Sequence, residues 1–420
     1  MTPALCQAPF KSLRFGQTGK VFVCCHNHQD SIGQYPQESL HQIWKRAQRN
    51  DLCKLMSSGI FAKGCTHCQQ EVNNKVSGGS RALYHRYTAR EDQPVILDFK
   101  TDNSCNLSCI MCSGLSSSSL RGKNPVTTSP FHSEAFLQEM GVWVPGLAEV
   151  RFSGGEPFLS GFYRRIWELL TEKNPNCKIV VQTNGTVLDD TIKSLLMKGN
   201  FHINLSIDSF RPDTYSRIRC GSTLEKVLKN AEWFRDYCLE RGRFWGMTSC
   251  AMQANKDEVE EIVSGWNTFR ANGWFSVVYF PPRQALWTLP ENVLGPFFQS
   301  LEKIKVAGRD ELSVQNRSAL EILKGMAFSF SALSEIHHRP KSEYLVPAGS
   351  LPAQFQSGII REALRVSFPE DDHRWFNLKS FESALALGSE GILAEMIEIM
   401  APEEVSSLFA TFIVTQEGKG

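Results

Sequence analysis

The sequence predicts an α/β fold built on a parallel sheet with crossover helices, and three observations predict it. Between about residues 94 and 289, short apolar runs rich in Val, Ile and Phe alternate with amphipathic stretches, and such alternation implies parallel strands joined by helices. The composition, 42% hydrophobic and 21% charged, is that of an ordinary globular chain. The glycine-containing and polar motifs fall at the C-terminal ends of the candidate strands, where folds of this kind gather their chemistry.

At 420 residues the chain has room for two or three domains. A formal net charge of +1 gives no general attraction to nucleic acid or to acidic membranes. No stretch approaches the roughly 20 apolar residues of a membrane helix. The first residues lack the charged and apolar regions of a secretory signal. Thirteen cysteines without such a signal point to reduced thiols in a cytoplasm, and to metal binding rather than disulfides.

Taken in order, residues 10–15 and 20–24 read as a hairpin closed by a glycine-bounded turn at 16–19. The hairpin brings together Cys6 and Cys24, which flank it. Residues 39–46 place Leu40, Ile43 and Trp44 on one helical face, expected to pack beside the loop of Cys65 and Cys68. Those two cysteines have C-x2-C spacing, which lets two thiolates share one metal. Cys53 reads as a small hydrophobe on a helix. Gly78, Gly79 and Ser80 mark a boundary, and residues 79–93, basic at Arg81, His85, Arg86 and Arg90, read as a linker along the core. A nucleic-acid patch there is not adopted.

In the core, strands are expected at 95–99, 149–153, 178–182, 202–207, 246–252 and 275–280. Helices are expected at 134–140, 162–172, 190–198, 224–241 and 257–272. The first strand leads into Cys105, Cys109 and Cys112, spaced C-x3-C-x2-C. Three thiolates can converge on one corner of a cubane, one fewer than the four that such a cluster takes. A zinc site or unrelated cysteines are the plainer readings. Ser116, Ser117, Ser118 and Ser119 read as flexible loop. The second strand ends in Gly154, Gly155 and Glu156 before Pro157; two glycines admit close backbone approach and proline stiffens the exit. The third ends in Thr183 and Asn184, a pair that suits a helix cap and turn equally well. The fourth ends in Ser206 and Asp208, whose hydroxyl and carboxylate suit ribose or carboxylate contacts. Arg219, with Arg217 as competitor, can make a charge-assisted pair with a carboxylate. Asn255 reads as a turn residue. Cys177, Cys220, Cys238 and Cys250 lack metal spacing.

The cysteine triad, followed by the Gly154–Glu156 motif, resembles the radical S-adenosylmethionine (radical SAM) superfamily. The resemblance implies a partial (β/α)6 TIM-type barrel over residues 94–289. It implies a [4Fe–4S] cluster on Cys105, Cys109 and Cys112, whose open iron is chelated by S-adenosylmethionine. Met111 would lie near the adenine. Gly154, Gly155 and Glu156 would hold the methionine amino group, Thr183 and Asn184 would face the cofactor, and Arg219 would meet the methionine carboxylate, with Ser206 and Asp208 nearby.

Residues 1–78 resemble the twitch domain, the short relative of SPASM. That likeness implies a second, auxiliary iron–sulfur cluster, [4Fe–4S] in type, on Cys6, Cys24, Cys65 and Cys68. Cys25 is the alternative to Cys24, since neighbours on a strand face opposite ways. The segment departs from the family pattern by preceding the core, and a zinc-ribbon-like site is the competing reading. Residues 290–420 match no recognised family. Helices are expected there at 294–306, 318–334, 358–366, 381–387 and 390–400, forming a cap for substrate or partner, with His337, His338 and Arg339 in exposed loop.

The implied activity is reductive cleavage of S-adenosylmethionine to a 5′-deoxyadenosyl radical that takes hydrogen from a substrate carbon. A flavodoxin or ferredoxin would donate the electron, and the auxiliary cluster would accept an electron or position substrate. The substrate expected is a small metabolite or carbohydrate-like intermediate. Modification of a peptide or protein is the runner-up, and a zinc-stabilised, non-catalytic binding protein is the reading from another class. The sequence leaves the oligomeric state open.

Overall fold

The computed structural model describes residues 4–28, 31–47, 51–73, 80–114, 116–120, 129–306, 308, 310–355, 358–368, 372, 374–388, 393, 397 and 402–414. The boundary glycines Gly78 and Gly79 lie outside the described residues, as does most of the helix expected at 390–400.

Nine strands form one sheet: β1 (Ser12–Phe15), β2 (Lys20–Phe22), β3 (Gly33–Gln34), β4 (Ile96–Phe99), β5 (Glu149–Phe152), β6 (Lys178–Thr183), β7 (Phe201–Ser206), β8 (Trp245–Ala251) and β9 (Asn272–Val277). Their order is β3-β2-β1-β4-β5-β6-β7-β8-β9. From β4 to β9 the strands are parallel and in sequence order, as right-handed crossovers through outer helices produce. One face carries Val150, Phe152, Ile179, Val181, Ile203 and Leu205, all buried under helices. The alternate residues, among them Arg151, Gln182, Asn204 and Thr248, line a single cavity of about 1380 Å³ together with Ser276 on β9. The sheet therefore curves round a polar lumen as an incomplete barrel.

The helices begin where short polar side chains take up free backbone N–H groups. Ser133 accepts from Phe136 N, Ser160 from Tyr163 N, and Asp189 from Ile192 N. These caps start the helices Glu134–Trp143, Gly161–Lys173 and Asp190–Lys198. Near β9 two core elements sit differently from expectation. β9 begins at Asn272, three residues early, because Asn272 pairs with Gly246 of β8 and a Cβ on Gly273 would run into Trp266. The preceding helix changes too: Val259–Thr268 is shorter than 257–272, its end marked by Arg270 at φ +52°. The helix Pro212–Ile218 is additional, with Pro212 at its first turn.

The hairpin β1–β2 forms as expected, but it is no appendage. β1 pairs in parallel with β4 in the register Arg14↔Asp98, so the hairpin continues the barrel sheet. The helix Leu40–Ala47 buries Leu40, Ile43 and Trp44 as expected. Its partners are β3 and the helix Glu134–Trp143 rather than the loop of Cys65 and Cys68. Ile43 abuts Gly33, and Leu40 N donates to Glu139 Oε2 at 2.7 Å. Residues 81–93 do follow the core: Tyr87 Oη donates to Glu149 Oε2 at 2.7 Å.

The last third packs onto β9 through the helix Glu311–Gly325. There the buried Asn316 accepts from Gly273 N at 2.6 Å and donates to Ala271 O at 3.2 Å. A small antiparallel sheet, Leu345–Pro347 with Trp375–Asn377 and Ile413–Val414, lies beyond. The helix Leu378–Gly388 reaches back to the helix Thr66–Asn73, which carries Cys68. The C-terminal helices thus link the β9 edge of the sheet to the helix that carries Cys68. His337 is not in exposed loop: it ends the helix Ala327–His338, packs edge-on to Trp287, and has Nδ1 3.1 Å from Ser380 Oγ. Among the described residues no helix is long and apolar enough to cross a membrane.

Candidate functional site: the cysteine loop at the C-terminal strand ends

β4 ends at Phe99 and delivers the cysteine loop. That loop is held from two sides. Ser108 N and Ile110 N donate to Cys220 O and Ile218 O, at 2.9 and 3.0 Å. On the other side the serine run acts as a clamp rather than as slack chain. Cys105 N donates to Ser118 Oγ at 3.0 Å, Ser119 Oγ donates to Cys105 O at 2.7 Å, and Ser117 Oγ to Leu107 O at 2.6 Å. Cys109 is buried, and Cys105 and Cys112 are partly so. A hydrogen bond between Cys109 and Cys112 raises the first thiol and lowers the second. Arg219 draws both down, which favours the thiolate form.

The β5 turn presses on this loop. Gly154 and Gly155 have φ of +87° and +56°. A Cβ on Gly154 would lie 2.6 Å from Asp102 O, and one on Gly155 would run into Ser104 O. Glu156 N donates to Ser104 O at 2.7 Å. The Glu156 carboxylate is fully buried and bonded within the chain. It accepts from Phe158 N at 3.1 Å, Thr183 Oγ1 at 2.8 Å and Asn184 N at 2.7 Å. Burial pushes its pKa up to about 7 against the pull of these bonds. Glu156 and Thr183 therefore brace the β5 turn to the β6 turn. Asn184 reaches the cluster loop itself: its Nδ2 lies 3.8 Å from Cys105 Sγ and 3.2 Å from Asn106 Oδ1.

At the β7 end Asp208 is fully buried, accepting from Arg219 Nε at 2.7 Å and from Cys250 N at 2.7 Å. The helix Pro212–Ile218 places Arg219 here, while Arg217 is exposed and donates to Thr214 Oγ1 at 3.4 Å. Asn255 is more than a turn residue, tying Asp208 O to Cys250 O at 2.7 and 2.9 Å. Met111 packs against Ile218, Met252 and Val278. Ser206 Oγ accepts from Gln182 Nε2 at 2.6 Å inside the lumen, where Asn204 Nδ2 joins Gln182 Oε1 and Thr248 Oγ1 at 2.6 and 2.9 Å.

The N-terminal cysteines gather at the opposite end of the barrel. Ser12, level with Ile96 at the start of β4, donates to Val23 O at 2.5 Å, which sets Cys24 at the N-terminal strand ends. Asn27 then links two of the expected ligands: its backbone N donates to Cys24 Sγ at 3.4 Å and its Nδ2 to Cys65 Sγ at 3.5 Å. Cys68 is raised by burial and by the neighbouring charges of Cys24, Glu71, Cys6 and Cys25. Cys25 instead lines the lumen cavity beside His26, which stacks on His67 at 4.5 Å. Cys53 packs on its helix, with Sγ 3.2 Å from Ala47 O. Among the described residues no group of three or more His, Cys, Asp or Glu has the geometry to hold one metal ion; the ligands of a cluster bind different irons and stand farther apart.

Reading the sequence alone missed the serine clamp, Asn27, and the Asn106–Thr186 pair that backs Asn184, in which Asn106 Nδ2 donates to Thr186 Oγ1 at 2.9 Å. Nothing in their local patterns marks them. They become visible only when distant loops are brought together.

Comparison with known proteins points the same way. The family model of the radical SAM superfamily matches residues 100–264. The chain is similar to the GTP 3′,8-cyclase of Peptoclostridium acidaminophilum, 27% identical over 40% of this chain and 50% of that protein. It is also similar to a probable GTP 3′,8-cyclase of Methanosarcina acetivorans, 32% identical over 30% of this chain and 38% of that protein. The chain thus spans half or less of the length of these curated relatives. Similar solved structures include anSMEcpe with bound AdoMet, at TM-score 0.39 and 23% identity over 49% of this chain and 59% of that one. Streptococcus suis SuiB bound to its precursor peptide SuiA aligns at TM-score 0.38 and 13% identity, over 63% of this chain and 61% of that one. The superfamily uses a [4Fe–4S] cluster and S-adenosylmethionine, and the donor set fits both: three thiols on one clamped loop, a glycine cradle without side chains, and a buried arginine beside the thiols. Residues 100–264, which carry the cysteine loop, the glycine turn and Arg219, form a radical SAM domain.

Proposed function

We propose that this protein is a radical SAM enzyme acting on a polar substrate held in the barrel lumen, with an auxiliary iron–sulfur cluster at the lumen's far end. The observation that supports this most is the clamped loop of Cys105, Cys109 and Cys112, closed over by the Gly154–Gly155 turn and flanked by Arg219. When bound, the cluster and S-adenosylmethionine supply reductive carbon–sulfur cleavage and a 5′-deoxyadenosyl radical able to take hydrogen from an unactivated carbon.

The chain's own residues orient and seal. Arg219, held through Nε by Asp208, offers its terminal nitrogens to the methionine carboxylate. Backbone carbonyls of the glycine turn serve the amino group, since the Glu156 oxygens are committed to internal donors. Met111 keeps the loop seated against Ile218 and Met252. Cys6, Cys24, Cys65 and Cys68 carry the auxiliary cluster in this reading; Cys24 is favoured over Cys25 because it shares Asn27 with Cys65. The C-terminal helices wall one side of the lumen through Glu311, Gln315, Leu323 and Glu382. The lumen's size and hydrogen-bonding walls support a small polar metabolite; the GTP 3′,8-cyclase relatives fit that class without naming the substrate here.

Anaerobically purified protein should carry about eight irons per chain, four for each cubane. Replacing all three loop cysteines by alanine should abolish 5′-deoxyadenosine formation under reduction. Zinc in place of iron, or cleavage that persists in the triple variant, overturns the reading.

A further inference from the structure

We propose that the N-terminal end of the lumen is an anion-binding subsite, built by Arg151 and Lys178, that takes a phosphate or carboxylate group of the substrate. This rests on the reading of the lumen as the substrate chamber, and it orients the substrate within it. Arg151 on β5 and Lys178 at the start of β6 both line the cavity. They share one carboxylate. Glu149 Oε1 lies 3.2 Å from Arg151 Nε, and Glu149 Oε2 lies 3.3 Å from Lys178 Nζ. Glu149 is only 1% exposed and also accepts from Tyr87 through Oε2, so one buried carboxylate faces two cations and a phenol.

One carboxylate against two cations leaves a unit of positive charge facing the cavity. The neighbouring Asp98 does not cancel it, being paired with Arg14 at 2.8 Å. Arg86 and Lys63 add cations to the same lining, while Glu311 and Glu382 belong to the wall supplied by the C-terminal helices. Arg151 is bound to Glu149 through Nε, yet 37% of its side chain is accessible. Its terminal nitrogens are thus suited to grip two oxygens of an anion side by side. On partly buried side chains such a charge acts more strongly than on an open surface.

Above these cations the lining turns neutral, through Gln182, Asn204 and Thr248, with Trp274 as a flat apolar wall. An anionic molecule therefore has one way to lie. Its charged group sits at the N-terminal strand ends, its polar body runs along the amide ladder, and its far end is presented toward the cysteine loop.

The test is isothermal titration of the reconstituted full-length protein with inorganic pyrophosphate and, separately, with succinate. Saturable binding of one or both is expected. Binding of pyrophosphate alone identifies a phosphorylated substrate, and of succinate alone a carboxylate. Arg151→Gln and Lys178→Gln should each weaken binding tenfold or more. Glu149→Gln, which keeps the shape and frees both cations, should tighten it several-fold, an opposite sign that a folding defect does not produce. Binding of neither probe, or binding indifferent to all three substitutions, overturns the subsite. Iron content and 5′-deoxyadenosine formation by the unaltered protein test the radical SAM reading separately.

Discussion

Asn184 and Gly155 show how much rests on single side chains near the cysteine loop. Hydrogen bonds to cluster sulfur help set its potential, and Asn184 Nδ2 is aimed at Cys105 Sγ. Asn184→Ala should shift the midpoint potential of the cluster on that loop to a more negative value, read by an EPR-monitored redox titration. Gly155 is constrained differently, since both its positive φ and its contact with Ser104 O forbid a side chain. Gly155→Ala should cost about 1–3 kcal/mol from the backbone alone, with a lower melting temperature and reduced iron retention. At this scale the sequence was informative wherever spacing carried the signal. The cysteine triad and the paired glycines were legible because their chemistry is local. The bond between Glu156 and Thr183 was not: they stand at the ends of different strands, and the sequence says nothing of their contact. A carboxylate's direction depends on which loop lies across from it, and no spacing rule contains that.

The elements were legible to the extent that periodicity and caps specify them. Ser133, Ser160 and Asp189 each begin a helix where a polar side chain precedes an apolar repeat. The β9 boundary escaped, because Gly273 offers no side chain to the pattern and its place is set by pairing with β8. The helix Pro212–Ile218 escaped because seven residues are too few to show a period. The joint between core and C-terminal region turns on Asn316, which satisfies backbone groups of the β9 segment from the helix Glu311–Gly325. Asn316→Leu leaves Gly273 N–H and Ala271 O without that partner. It should destabilise the protein by about 2 kcal/mol or more, seen as a drop in the denaturation midpoint.

Across the whole molecule, two partly buried histidines impose a pH dependence. Burial pushes His202 and His337 down to about 4, below the usual histidine value near 6.5. Between those values the unfolded chain binds more protons than the folded one. Their contribution is therefore complete above about pH 6.5 and is lost as the pH falls toward 4. The melting temperature should drop between pH 7 and pH 5, and drop less in His202→Gln, whose amide can still accept from Phe244 N. Glu156 acts in the opposite sense, since its raised pKa favours the folded state as the pH falls below 7; the comparison with His202→Gln isolates the histidine's share. The barrel itself was legible as a whole because six similar strand–helix units repeat. The attachment of the N-terminal hairpin was not, because the bond between β1 and β4 joins segments some eighty residues apart.

That attachment has a further consequence. β1 covers the outer margin of β4, whose residues Ile96, Leu97 and Phe99 are wholly apolar in side chain and almost fully buried. A chain shortened to begin near residue 94 would bare a row of unpaired amides and carbonyls beside greasy side chains, a template for stacking one copy on the next. Light scattering should find such a fragment self-associating even where its cysteine loop is left untouched.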